Sequence, residues 1–326
     1  MDGKDLIHAL DTIAAFTLLA LSLAILIPAM LGEGYSAYAD RWGYRGSRGF
    51  FYAGNDITAV LAVLLPLVAA RLMLMDRKGH IGRAVFLALA SALGGNALLI
   101  IGSKTAFLAV LFTYGALLVY AVVMLLLKKD KHVALGYFWA LASMLIILGV
   151  LLLLDDQLWE SILISLGITQ ELWEDEGVET ALFSGRLIKF ADQFADYRSG
   201  GILVWLFGMG RGSQAEIIEM DVFEVWLYYG ALGVVTFLWL YVKAAIDFFK
   251  GLFHRPFDAM CLALFLSIGM CAGYLLIAGH VLFSVTSGFY FILAIAYSRA
   301  YFARESEDSA LWHERESLLG RRKPKA

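Results

Sequence analysis

Charge is scarce in this chain. Asp, Glu, Lys and Arg together make up 17% of it, against about a quarter in an ordinary soluble domain. That scarcity excludes a soluble binding domain. A formal net charge of only −3 excludes the strongly basic surface that a nucleic-acid partner requires. Cysteine is nearly lacking too. Cys261 and Cys271 fall in one apolar segment, and on a helix that spacing separates them by roughly 15 Å, too far for a mutual disulfide. There is no HExxH helix, no nucleophile elbow and no Cys/His cluster, so the residues point to no metal and no cofactor. What the chain has in quantity is apolar surface: 60% of its residues are hydrophobic and the mean hydropathy is +0.73.

That surface is distributed in long runs, near 12–31, 57–75, 84–101, 105–127, 133–154, 222–249, 259–278 and 280–301. Each approaches or exceeds the ~20 residues that cross a bilayer as a helix. Strands would need a closed-barrel alternation that is absent here. The expected fold is therefore an all-α integral membrane protein, a polytopic bundle of about eight transmembrane helices within a single domain, 1–301. Lysine and arginine set the orientation. Arg71, Arg77, Lys78 and Arg83 lie in one connection, and Lys128, Lys129 and Lys131 lie in another. Lys243, Lys250 and Arg255 follow the sixth run, and the chain ends in RRKPKA. Eight spans put all four groups on one side, which is then cytoplasmic, with both termini. The segment 155–221 becomes a large external loop. Its first half is acidic and free of lysine and arginine, and its LWESILISLGI stretch (158–168) has the apolar period of an interfacial helix. Residues 302–326 read as a disordered cytoplasmic tail.

In this topology the unusual polar residues gather at the external ends of spans. Asn55 and Asp56 open the second span, Lys104 the fourth, and Glu219, Asp221 and Glu224 the sixth. His280 sits in the turn between the last two spans, while Arg186 and Arg211 lie in the large loop. Singly, each has a structural account. Lys104 can snorkel, the acidic trio favours a helix N-terminus, and His280 suits a tight turn. Together they describe an external polar cavity, since ionisable groups at membrane depth face a cavity or a partner. The stretch DRWGYRGSRGFFYAGND (40–56) adds Arg41, Arg45 and Arg48 on a side where short loops avoid positive charge. If that loop is helical, their i, i+4, i+7 spacing places them on one face. Arginine forks beside carboxylates suit a substrate with a pyrophosphate leaving group and a hydroxyl nucleophile. The guanidinium groups stabilise the departing charge, and a carboxylate or histidine takes the hydroxyl proton. GMGRG (208–212) lacks the preceding strand and following GK[ST] of a P-loop.

Several stretches resemble the O-antigen polymerase and ligase superfamily of bacterial membrane glycosyltransferases. RGFFYAGNDITAVL (48–61) resembles its asparagine-containing segment at a span start, and IIGSKTAFLAVL (100–111) its G-S-[RK]-T segment. SGRLIKF followed by WLFGMGRGS (205–213) resembles its external arginine and downstream G-x-G turn. EMDVFEVWLYYGALGVV (219–235) looks like the E-x-D-x-x-[DE] form of polysaccharide polymerases, and GHVLFS (279–284) is similar to a late external segment. The resemblance covers roughly residues 45–300. It implies a GT-C-like fold and an enzyme of polysaccharide or lipopolysaccharide biosynthesis at the outer face of the bacterial inner membrane. The implied donor and acceptor are oligosaccharide repeat units on undecaprenyl pyrophosphate, and a chain-length regulator is a further partner of such enzymes. The ligases of the group begin their acceptor-side motif with His-Asn. Glu219 and Asp221 stand there instead, which favours a polymerase.

On this reading Arg48, Arg186, Arg211 and Lys104 bind pyrophosphate. Glu219 and Asp221 are the catalytic carboxylates, with Arg186 and His280 as further catalytic candidates. Arg45, Asn55 and Glu224 line the remaining substrate surface. The alternatives are an O-antigen ligase acting on lipid A core and, from another class, a transporter or flippase of lipid-linked sugars. A flippase needs polar groups through the middle of the membrane, whereas Asn96 is the main one here.

Overall fold

The computed structural model describes residues 3–38, 45–75, 80–127, 131–154, 186–212, 217–253, 257–279 and 281–320, with isolated positions between 159 and 183. His280, Arg41 and most of the acidic half of the large loop lie outside the described residues. The chain is built of helices: α1 (Gly3–Met30), α2 (Gly54–Leu74), α3 (Ile81–Ile101), α4 (Lys104–Leu126) and α5 (Lys131–Leu154) come first. Within the large loop follow two shorter ones, α6 (Arg186–Ser199) and α7 (Gly201–Phe207). Then come α8 (Asp221–Phe253), α9 (Ala259–Gly273), a π-helical turn (Tyr274–Ala278) and α10 (Val285–Gly320). Seven of the described helices are long and apolar enough to cross a membrane. They are α1 to α5, α8 and the stretch Ala259–Ile277. The protein is thus all-α and polytopic. The last expected span forms the first part of α10, which is not among the seven. That helix runs on to Gly320 where a disordered tail was expected, because 303–320 is rich in the helix formers Ala, Glu, Leu and Arg.

The bundle is arranged around α2. Its run VLAVLLPLVAA is apolar on every side, and nearly every residue from Ile57 to Met73 is buried, as expected of a helix surrounded by others. Helices α1, α3, α5, α9 and α10 all pack against it. The outer helices turn large apolar side chains such as Phe112, Val119, Trp139, Ile146 and Trp239 outward, which suits a lipid solvent. Small and polar residues make the close contacts between helices. A Cβ at Gly94 of α3 would lie 2.7 Å from a Leu18 methyl of α1. Asn96 donates to the Met144 carbonyl of α5 at 3.1 Å as well as to Ala92. Ser267 of α9 donates to the Val63 carbonyl of α2 at 2.8 Å. Asn96, the mid-span polar residue, is therefore an interhelical clamp of the kind that holds membrane bundles together.

Polar residues separate to the two ends. At one end Asp11, buried in α1, is 2.7 Å from Arg71 Nε and 3.3 Å from Arg83 Nη2. Tyr297 Oη donates to the same carboxylate. These residues tie α1, α2, α3 and α10 together. The small void beside them is about 10 Å³, room for no more than a single water. At the other end lies a short antiparallel hairpin, Ser36–Tyr38 with Arg45–Ser47, with Tyr38 opposite Arg45. The described part of the arginine-rich stretch is thus extended and not helical, so Arg45 and Arg48 do not share a helical face. Glycine is the reason. Gly46 and Gly49 have positive φ and sit against the Ile101 and Ala24 carbonyls, where a Cβ would come within 2.3 and 2.2 Å.

Gly94→Val should lower unfolding stability in detergent by about 1–3 kcal/mol, through overpacking against Leu18. Adding Leu18→Ala should restore most of it. A double variant as unstable as Gly94→Val alone would place the clash elsewhere.

Candidate functional site

At the hairpin end, one irregular segment, 279–284, gathers with the helix ends that flank it side chains from three other parts of the chain. It follows the π-helical turn and precedes α10, so its backbone groups lack a regular ladder and need partners from elsewhere. Asp221, the first residue of α8, supplies two. Its Oδ2 accepts the amides of Val281 at 2.8 Å and Leu282 at 2.7 Å, and the residue is 0% exposed. Asp56, in the first turn of α2, accepts from Ser284 Oγ at 2.8 Å and Ser287 Oγ at 3.2 Å. Arg186, the first residue of α6, donates from Nη1 to the Ile277 carbonyl at 3.2 Å.

Arg186 also holds Glu219. Its Nη2 and Nε reach Glu219 Oε2 at 2.9 and 3.2 Å. The Glu219 side chain is 43% exposed and that of Arg186 17%, so solvent reaches the carboxylate more readily than the guanidinium. Glu219 stands at φ 62, the described non-glycine residue with positive φ, a costly backbone state for a residue with a Cβ. Two neighbours hold it there. Buried Glu224 accepts the Glu219 amide at 2.8 Å. Gly279, also at positive φ, lies so close that a Cβ would be 2.1 Å from the Glu219 carbonyl carbon.

The glycine turn after α7 has a different task from holding phosphate. Helix α8 breaks at Gly230, whose φ and ψ are 63° and −162°. The Leu227 and Tyr228 carbonyls then accept the amides of Met209 at 2.8 Å and Gly210 at 3.0 Å. Gly208 and Gly230 meet face to face, with no space for a Cβ on either. FGMGRG therefore docks onto the α8 kink, and Arg211 emerges from it, exposed, with its guanidinium carbon 5.0 Å from the centre of the Phe283 ring. Tyr228 Oη donates to Gln193 of α6 at 2.9 Å. Phe190, Phe194 and Tyr197 of α6 pack on Trp226 of α8. The second half of the large loop is thus a structured cap over the head of α8.

The structure brings Arg186, Glu219, Asp221, Glu224 and Arg211 to one neighbourhood. Arg48 lies at the same end, in the hairpin, between Tyr35 and Tyr52. Asn55 precedes Asp56 in α2 and is half-buried. Arg45 is part of the second strand. Lys104 opens α4 after a tight turn, in which Gly102 caps α3 and Ser103 caps α4 by accepting the Ala106 amide at 3.2 Å. A cation there opposes the helix dipole. His280 falls inside the irregular segment but outside the described residues. Among the described residues no group of three metal-ligating side chains gathers. The sequence reading missed Ser284, Ser287 and Gly279. Their signal was present in GHVLFSVTS, a polar interruption between two apolar runs.

A family model described as O-antigen ligase like membrane protein matches residues 4–158 and 168–305. Comparison with curated proteins and with solved structures returns no match.

Asp221→Ala would strand the buried Val281 amide, at about 1–3 kcal/mol, and the part-buried Leu282 amide. Hydrogen exchange at Val281 and Leu282 should accelerate in Asp221→Ala and stay slow in Asp221→Asn, whose amide oxygen can still accept. Equal exchange in the alanine variant and wild type would remove Asp221 from its anchoring role.

Proposed function

The chain belongs to the O-antigen ligase like membrane protein family, a glycan-processing group, and we propose that it is a glycosyltransferase acting on lipid-linked oligosaccharides. Its reaction is polymerisation of repeat units carried on undecaprenyl pyrophosphate, at the outer face of the bacterial inner membrane. The basic connections at the Asp11 end support that orientation, with both termini cytoplasmic. In the transfer, the bond from the donor sugar's C1 to the pyrophosphate oxygen breaks. A bond from C1 to the acceptor hydroxyl oxygen forms, the hydroxyl proton passes to a carboxylate, and the pyrophosphate leaves on its lipid.

The observation that carries this reading is the Arg186–Glu219 pair at the head of α8. A guanidinium fork, of the kind suited to phosphate, touches a solvent-reachable carboxylate on backbone held in a strained state, and this supports the reading. An incoming pyrophosphate competes for Arg186 and so frees Glu219 to take the acceptor proton. Of the candidate carboxylates, Asp221 and Glu224 are 0% and 1% exposed and already accept amides. They serve as positioning residues, and Glu219 is the base, with His280 as the second candidate. Arg211 adds a further fork, and Lys104 and Arg48 add positive charge at the same end.

Arg186→Lys keeps the charge and loses the fork. It should reduce polymerisation of lipid-linked repeats by about a hundredfold, the scale of losing one preorganised donor. Product analysis reads the reaction class at the same time. A ladder on the lipid carrier marks a polymerase, whereas a modified lipid A core marks a ligase. Wild-type chain lengths in Arg186→Lys would sink the pyrophosphate role.

A further inference from the structure

The hairpin holds two tyrosine rings that the proposed transfer does not use, on either side of Arg48. The Arg48 guanidinium carbon lies 5.7 Å from the Tyr35 ring centre and 5.8 Å from that of Tyr52, within cation–π range of both. Among the described residues, Arg71 and Arg83 pair with Asp11, Arg186 with Glu219 and Arg299 with Asp247. Among those residues Arg48 has no such carboxylate, and its buried Nε has no acceptor there. The rings beside it are open: Tyr35 is 52% exposed, Tyr52 83% and neighbouring Phe50 67%. The backbone beneath them is hydrogen-bonded. Tyr35 and Arg48 are tied by the Arg48 amide to the Tyr35 carbonyl at 3.0 Å, and the Tyr35 amide reaches the Gly49 carbonyl at 2.7 Å. Gly46 and Gly49 then clamp the hairpin to α3 and α1. From the hairpin the chain leads through Gly54 to Asp56, which holds Ser284 and Ser287 of the irregular segment.

We infer that Tyr35, Arg48 and Tyr52 form a sugar subsite. In it the tyrosine rings take the C–H face of a pyranose, and the guanidinium donates to oxygens of that ring or of the phosphate next to it. The inference rests on the glycosyltransferase reading and assigns these residues to the sugar beside the pyrophosphate. Hydrocarbon fits the rings but not the guanidinium, a charged group that apolar contact would desolvate without offering it an acceptor. A sugar presents an apolar face and oxygen acceptors within one ring. The subsite would therefore select which repeat unit the enzyme takes.

The test is a binding measurement that needs no turnover. The full chain in nanodiscs is titrated with the lipid-free oligosaccharide repeat of its host's surface polysaccharide, and saturation transfer is read by NMR. Tyr52→Ala and Tyr35→Ala should each weaken binding about three- to tenfold, the scale of one aromatic contact. Tyr52→Phe should bind as wild type does, and Arg186→Lys should keep binding while losing transfer. A wild-type chain that does not bind the oligosaccharide would overturn the subsite. So would unchanged binding in a Tyr35→Ala/Tyr52→Ala variant whose thermal stability falls in anionic-lipid discs, since the rings would then be headgroup anchors. Retained, ring-dependent binding in a wild-type chain that transfers no glycan would refute the enzyme reading and leave the subsite standing.

Discussion

The buried carboxylate of Asp221 holds the amides of Val281 and Leu282, and the candidate site depends on that contact. Irregular backbone at the end of an apolar bundle is tolerated only when its polar groups find partners. Segment 279–284 and its flanks find them in side chains from elsewhere: Arg186 for the Ile277 carbonyl and Asp221 for the Val281 and Leu282 amides, while Asp56 takes the hydroxyls of Ser284 and Ser287. With that segment in place, Gly279 can press on the backbone of Glu219, and Phe283 can lie beneath Arg211.

One consequence is a division of labour among the acidic residues of EMDVFE. All three stand within six positions at the head of α8, yet their surroundings differ sharply. Asp221 and Glu224 accept backbone amides in the interior, whereas Glu219 meets solvent and the Arg186 guanidinium. A buried carboxylate accepting amides stabilises its surroundings. An exposed one on strained backbone, paired to an arginine, is suited to exchange partners. The α8 kink has the same logic. The Met209 and Gly210 amides occupy the carbonyls freed at Gly230, so the turn that resembles a phosphate cradle serves to fix the cap formed by α6 and α7.

The long apolar runs were legible as spans because a bilayer imposes a length and an internal hydrogen-bonding rule on any helix that crosses it. The concentration of polar residues at one end was legible for a related reason, since charged groups are costly within the hydrocarbon layer. The hairpin was not legible as such. Arg41, Arg45 and Arg48 have helical spacing, and the decision against a helix at 45–48 came from Gly46 and Gly49, which are small enough to approach the Ile101 and Ala24 carbonyls. Asp11 was not legible either. A single acid within an apolar run shows nothing of the Arg71 and Arg83 that meet it from two other helices.

By itself the sequence determined the class of the protein, the positions of most of its spans and the residue types that could handle an anionic glycan donor. Those follow from local composition, because hydrophobic length and charge placement are properties of each segment alone. Tertiary structure decided which carboxylate is open, which arginine is paired and which stands between two tyrosines. Each of these depends on burial and partners contributed by residues distant in the chain, such as Arg186 and Ile277, 91 positions apart. Pattern and spacing carry no record of such contacts.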